Sequence, residues 1–181
     1  MNLAERALVG GLNNPLTSCP VYTAAMGTAV VFSAGLAVVY SGYGLYNPVA
    51  AAGTSAIKVV PVNVSIIPTN LSTAANYFAI AKYIGTGTAF AGGASTGGVT
   101  QQNLAGTTTL QRATVFGTGS MAIAPIYVKF LTAFGTGGGN PAPNLFPLDG
   151  DLTVMPGEGL IFVQGIAGTA LCSITWAEMP V

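Results

Sequence analysis

Between residues 57 and 67 the chain alternates. Val60, Val62, Val64 and Ile66 fall on one side and Pro61, Asn63 and Ser65 on the other. This is the period of two expected of a half-buried strand. Pro61 has no N–H to give to a ladder, so the strand Ile57–Ile67 is expected at a sheet edge or bulged at that point. A second strand is predicted over Tyr77–Ile84, closed by Gly85-Thr-Gly87. In a third, Ile126, Val128 and Phe130 alternate with Tyr127 and Lys129. Near the end Cys172, Ile174 and Trp176 alternate with Ser173 and Thr175, and the wholly apolar Leu160–Val163 reads as a central strand buried on both faces. Earlier, Ala29–Phe32 and Leu36–Tyr40 read as two strands around the turn-like Ser33-Ala34-Gly35.

Glycine and proline punctuate the rest: Gly92-Gly93, Gly97-Gly98, and the loop from Gly135 to Pro143. No amphipathic helix is predicted after residue 20. Many short strands without βαβ alternation predict an antiparallel all-β domain, a sandwich or a barrel, over residues 21–181. Residues 1–20 read differently. Leu3–Leu8 suits a turn or two of helix, after which Gly10-Gly11, Asn13-Asn14-Pro15 and Pro20 break regular structure. This segment is expected to be an extended N-terminal arm that stays disordered or lies across a neighbouring molecule.

Composition changes the picture most through what it lacks. Only 6% of the 181 residues are charged, against 51% hydrophobic, and there is no histidine; soluble domains average about 25% charged. Without histidine, Ser–His–Asp and Cys–His machinery is excluded, and the usual general base and metal ligand are missing. No enzyme and no cofactor is expected. Five basic and five acidic residues leave zero formal net charge, a poor footprint for nucleic acid. A surface this poor in charge has little to hold copies apart, so it is expected to be covered by copies of itself or by partners.

The other chemical signals are weak in context. Residues 7–57 carry no charge, but Gly27 and Gly35 and the Val, Thr and Tyr content of the apolar stretch Thr23–Tyr40 argue against a spanning helix, and basic flanks are missing. Met1–Arg6 carries no net basic charge to start a secretory signal. Asp149, Asp151 and Glu158 lack the further acids of a calcium loop. Gly117-Thr-Gly-Ser-Met-Ala122 matches the dinucleotide fingerprint, yet Pro125 and a strand follow it, so it reads as a glycine turn. Cys19 and Cys172 read as buried thiols, since a disulfide would need the arm to lie beside the last strand.

Three segments carry a resemblance. Tyr43-Gly-Leu-Tyr-Asn-Pro48 leads into the strand Ile57–Ile67; Leu148-Asp-Gly-Asp-Leu-Thr-Val-Met-Pro-Gly157 precedes the central apolar strand; and the chain closes on Ser173-Ile-Thr-Trp-Ala-Glu-Met-Pro180. Together, over about residues 43–181, they resemble tailed-phage capsid cement or decoration proteins, virion structural proteins with a trimeric jelly-roll, tumour-necrosis-factor-like fold. In such chains the position of Ala177 is a second Glu, so any pairing made by that acid is absent here. The resemblance implies a homotrimer on the capsid surface, binding the major capsid protein; from the charge balance and the apolar stretch above, neither nucleic acid nor membrane is expected as a partner. Trp176, Tyr43, Tyr46 and Phe162 are the expected packing anchors, and Leu3, Leu8 and Leu12 the expected arm contacts with the shell. The alternative is a tail-fibre or head-fibre knob of the same fold that binds host carbohydrate; Tyr40, Tyr43 and Tyr46 would offer it a stacking face, although packing between subunits is the better use of them.

Overall fold

The computed structural model describes residues 20–36, 39–69, 75–84, 91–92, 98–101, 112–120, 124–134, 144–148 and 152–181. Among them there is no helix, and the strands are β1 (Val21–Ala25), β2 (Val30–Phe32), β3 (Val39–Tyr46), β4 (Ile57–Pro68), β5 (Asn76–Ile84), β6 (Ala91–Gly92), β7 (Gly98–Gln101), β8 (Thr114–Ser120), β9 (Ile126–Phe134), β10 (Asn144–Pro147), β11 (Glu158–Gln164) and β12 (Gly168–Pro180). They form two antiparallel sheets. Sheet A runs β10-β4-β12-β1-β7, with β2 also on β12; sheet B runs β6-β8-β3-β11-β5-β9. The chain passes repeatedly from one sheet to the other, so the two layers are sewn together.

Alternation builds the core. In β12 Cys172, Ile174 and Trp176 point inward, and in β11 Leu160 and Phe162 do the same. Tyr22, Phe32, Val64 and Ile66 join them from sheet A, and Tyr43, Leu45, Phe78 and Ile80 from sheet B, the layering of a β-sandwich. Phe32 meets Phe78 edge-on across the layers at 5.8 Å, and the Tyr43 hydroxyl donates to the Ala24 carbonyl at 3.0 Å. As its composition predicts, β11 is central, held between β3 and β5 and buried on both faces. Its other face, Ile161 and Val163, packs with Ala81, Tyr83 and Phe116 into a second cluster on the outer side of sheet B.

Three details differ from the expectations. The alternation in β4 breaks at Val62. Thr175 faces Asn63 and Trp176 faces Pro61, leaving Val62 as the extra residue of a bulge. The inserted residue exchanges the faces, so Val59 rather than Val60 joins the core. The bulge at Pro61 is thus the one of the two expected solutions that the chain adopts, while β10 flanks β4 on its other side. Second, Tyr43–Tyr46, which in the resemblance belong to a turn leading into the strand Ile57–Ile67, are strand, and the corner begins at Asn47. Third, Gly117–Ser120 lies within β8, paired to β3, and not in a turn.

Gly44 is required by close approach. The Phe116 ring lies against it, and a Cβ there would clash with the tip of that ring and lie 2.7 Å from the Leu160 carbonyl oxygen. Gly44→Ala is expected to destabilise the fold by about 1–3 kcal/mol, the usual range for overpacking, measured by chemical denaturation. A variant as stable as the parent would show that the β3–β8–β11 packing is not as described.

Candidate interaction surfaces

The three motif segments meet at one end of the sandwich, and the side chains they share fasten its corners. Asn47, fully buried, donates through Nδ2 to the carbonyls of Ile57 at 2.8 Å and Val154 at 3.0 Å. Its backbone accepts from Gly157 N at 2.7 Å and donates to Glu158 O at 3.0 Å. Gly157 adopts φ 87°, and Glu158 N returns to Met155 O at 3.0 Å, so Met155-Pro-Gly-Glu158 is a proline–glycine turn that needs glycine at its third position. Glu158 accepts from Met155 N and pairs with Lys82 at 2.7 Å, and Lys82 also donates to the Thr153 carbonyl. Glu158 therefore holds a lysine and a turn. Asp149 and Asp151, the other acids weighed above and set aside as a calcium loop, lie outside the described residues, and among those described no group of three His, Cys, Asp or Glu converges.

Glu178 is the fastener of the closing motif. Its carboxylate is almost fully buried and accepts from the backbone N–H groups of Arg112 and Ala113, both at 2.9 Å to Oε1, and from Trp176 Nε1 at 3.2 Å. Arg112 turns its guanidinium to the Ser55 carbonyl and Thr54. The Glu178 amide donates to the Pro20 carbonyl at 3.0 Å, so the exit of the N-terminal segment is pinned to β12. Cys172 is a free, buried thiol whose ionisation burial pushes up; Cys19 lies outside the described residues.

The expected packing anchors separate. Trp176, Tyr43 and Phe162 lie fully inside this chain's own core. Trp176 stacks on Tyr22 at 5.7 Å and Tyr43 on Phe162 at 5.5 Å. Tyr46 is half-buried on the opposite face of β3, against the outer cluster. Tyr43 and Tyr46 therefore share no surface, and Tyr43 offers no face to a sugar or a second chain. Leu3, Leu8 and Leu12 lie outside the described residues.

Among the described residues, two groups of exposed apolar side chains stand out, besides single ones at Val49, Met155, Ile166 and Val181. The first is β9, the edge of sheet B, where Ile126 is 57% exposed and Phe130 63%, with Val128 and Ile84 also open. Bulges on the β5–β9 pairing set Tyr127 opposite Ala81 and Phe130 opposite Ala79. Two residues three apart thereby share the outer face. Phe130 stacks on Tyr127 at 5.2 Å, Tyr77 meets both rings edge-on, and the Tyr77 and Tyr127 hydroxyls bond at 2.7 Å. The second is the outer face of sheet A, where Val31 opposite Thr169, Ile67 opposite Leu171 and Leu145 opposite Ser65 carry aliphatic side chains outward. Val31 is 61% and Leu145 65% exposed. The rest of this face is hydroxyl-bearing, with Thr23 bonded to Thr175 and Thr69 to Thr169. Sequence reasoning passed over both surfaces. The signal was present in Val31, Ile67 and Leu171, apolar residues on the polar phase of their strands.

Two phenols have ionisation raised to about 12: Tyr22 by burial and then by the Glu178 charge, Tyr127 by burial and then by its bond to Tyr77. Both folded values lie above the ordinary 10, so the stability they contribute is complete below pH 10 and is lost as pH rises toward 12. Tyrosinate absorbance is expected to develop late, with unfolding following in the same window. Full ionisation of all tyrosines near pH 10 in the folded protein would contradict this packing.

No family model, curated protein or solved structure matches the chain. No helix among the described residues is long and apolar enough to cross a membrane, which says nothing of a β-barrel.

Proposed function

We propose that this chain is a virion structural protein, a capsid cement or decoration protein of a bacteriophage that binds assembled shells as a homotrimer. The observation that carries the reading is the pair of exposed, nearly uncharged surfaces on β9 and on the outer face of sheet A, in a chain with only ten ionised side chains. Patches of this kind on a folded protein mark places where partners sit. The strand order supports a jelly roll: β1 and β2, β12, β4 and β10 in one sheet, with β3, β11, β5 and β9 in the other, is the interleaving of that fold. The segments that carried the family resemblance hold the corners, as structural signatures should.

In this account the protein acts mechanically. Binding to the assembled shell and not to its dissociated subunits stabilises the shell by linkage, about 2.7 kcal/mol at a hundred times Kd. A three-fold arrangement multiplies weak contacts by avidity. Leu3, Leu8 and Leu12 of the arm reach the major capsid protein, and Pro20 fixed on Glu178 gives the arm a rigid base. The test adds purified protein to shells of the cognate phage. The intact chain is expected to co-sediment and to raise the temperature of shell disassembly, and the chain lacking residues 1–20 is expected to stay trimeric without attaching. Normal attachment by the truncated chain would refute the arm's role, and no attachment by the intact chain would refute the function.

A fibre knob remains the second reading, favoured by one observation: the open Phe130 ring stacked on Tyr127 beside a hydroxyl pair is amphipathic, as a sugar-stacking platform must be. Copy number separates the two. Hundreds of copies in a particle indicate cement, a few dozen or fewer a fibre.

A further inference from the structure

We propose that Tyr77 and Tyr127 are a cross-linking site, at which a one-electron oxidant such as the oxidised haem of a peroxidase joins the two phenols into a dityrosine that staples β9 to β5. The inference goes beyond the virion reading and does not depend on it. Three observations lead to it. The first is the meeting of the hydroxyls. Tyr77 Oη and Tyr127 Oη lie 2.7 Å apart, with ring centroids 6.2 Å apart and 66° between the planes. The carbons that couple in phenol oxidation adjoin the carbon bearing the hydroxyl, so hydroxyls in contact bring one such ortho carbon of each ring toward the other. Simple pairing would not do this. Tyr77 stands opposite Ala133 and Tyr127 opposite Ala81, and bulges between Phe78 and Ala79 and between Ile80 and Ala81 turn both rings to the same outer face.

The second is support. The Tyr77 ring lies against Gly165, where a Cβ would clash with it. Phe130 stacks on Tyr127 at 5.2 Å and meets Tyr77 edge-on at 5.4 Å. The two phenols are thus held tip to tip by the fold. The third is access and place. Both rings are half-buried, whereas Trp176, Cys172, Tyr22, Tyr43 and Tyr83 are buried. Among the described residues β9 pairs with β5 alone, so a bond here ties down a strand that one neighbour holds. The step balances. Each phenol gives one electron to the oxidant and one proton to water. The two radicals form a C–C bond between ortho carbons, and each ortho hydrogen then moves to the oxygen of its own ring, which restores both phenols. The chain loses two hydrogen atoms and the oxidant gains two electrons.

The experiment exposes the full chain to photo-oxidised ruthenium tris-bipyridine with persulfate, a one-electron oxidant, under conditions that couple free tyrosine. Trypsin then cuts after Lys58, Lys82, Arg112 and Lys129, so Tyr77 is the sole tyrosine of peptide 59–82 and Tyr127 of peptide 113–129. Mass spectrometry is expected to find these two peptides joined, lighter by two hydrogen atoms than their sum, in material that runs as a single chain on a denaturing gel. Tyr77→Phe and Tyr127→Phe, each shown by circular dichroism to fold like the parent, should lose the joined pair, and oxidation in concentrated urea should lower its yield at least ten-fold. Peptides that stay separate in the folded parent overturn the site. So does a joined pair found only between chains, or one that forms as readily in urea, because the fold would then not be what brings the phenols together.

Discussion

Replacing Trp176 with alanine is expected to cost about 3–5 kcal/mol of folding stability, the range for removing a large aromatic from a packed core. The reasons are specific to this site. Trp176 is the largest fully buried side chain, stacked on Tyr22 and seated where the bulge in β4 brings Pro61 opposite it. Neither a bulge nor a proline relaxes easily into the space left behind. The loss also strips Glu178 of the Trp176 Nε1 donor. Since domains are stable by only about 5–15 kcal/mol, the variant should unfold at a much lower urea concentration. A loss under about 1 kcal/mol would mean that the ring does not fill the core as described.

Glu178→Ala is expected to cost about 3 kcal/mol or more by a different route. Three donors converge on this carboxylate, and each buried N–H left without an acceptor costs about 1–3 kcal/mol. Glu178→Gln should fall between, because one oxygen remains to accept while the amide nitrogen would face another donor. The pair separates charge from hydrogen bonding in urea denaturation. Equal stability of Glu178→Ala and the parent would remove Glu178 from its role as fastener. Because its amide also holds Pro20, the alanine variant should keep that backbone contact, so loss of stability without loss of shell attachment is the expected combination.

Much of the fold was legible because period-two patterning is local. The strands around Ile57–Ile67, Tyr77–Ile84, Leu160–Val163 and Cys172–Trp176 follow from their own residues, and the central place of β11 follows from its lack of polar positions. What escaped was set by partners distant in sequence. Nothing near Val62 announces that β12 will skip it, yet that skip decides whether Val59 or Val60 enters the core. The Gly117–Ser120 stretch looks like a turn by composition and becomes strand because β3 supplies the ladder. Asn47 and Glu178 stood inside recognised motifs, but their work is to bind backbone groups of residues such as Val154, 107 positions away, and spacing alone does not reveal that. The anchors Trp176, Tyr43 and Phe162 were picked for size, which says that a residue packs and not which chain it packs in. The exposed Phe130 was hidden because an apolar residue in an alternating strand is ordinarily assigned to the core, and Leu145 because the short strand β10 carries no alternating pattern of its own.

Light scattering of the purified chain across a range of concentrations reads the exposed apolar surface directly. The account predicts a stable particle of three times 18.1 kDa. A soluble species of 18.1 kDa at every concentration, with Phe130 and Leu145 open to water, would contradict it.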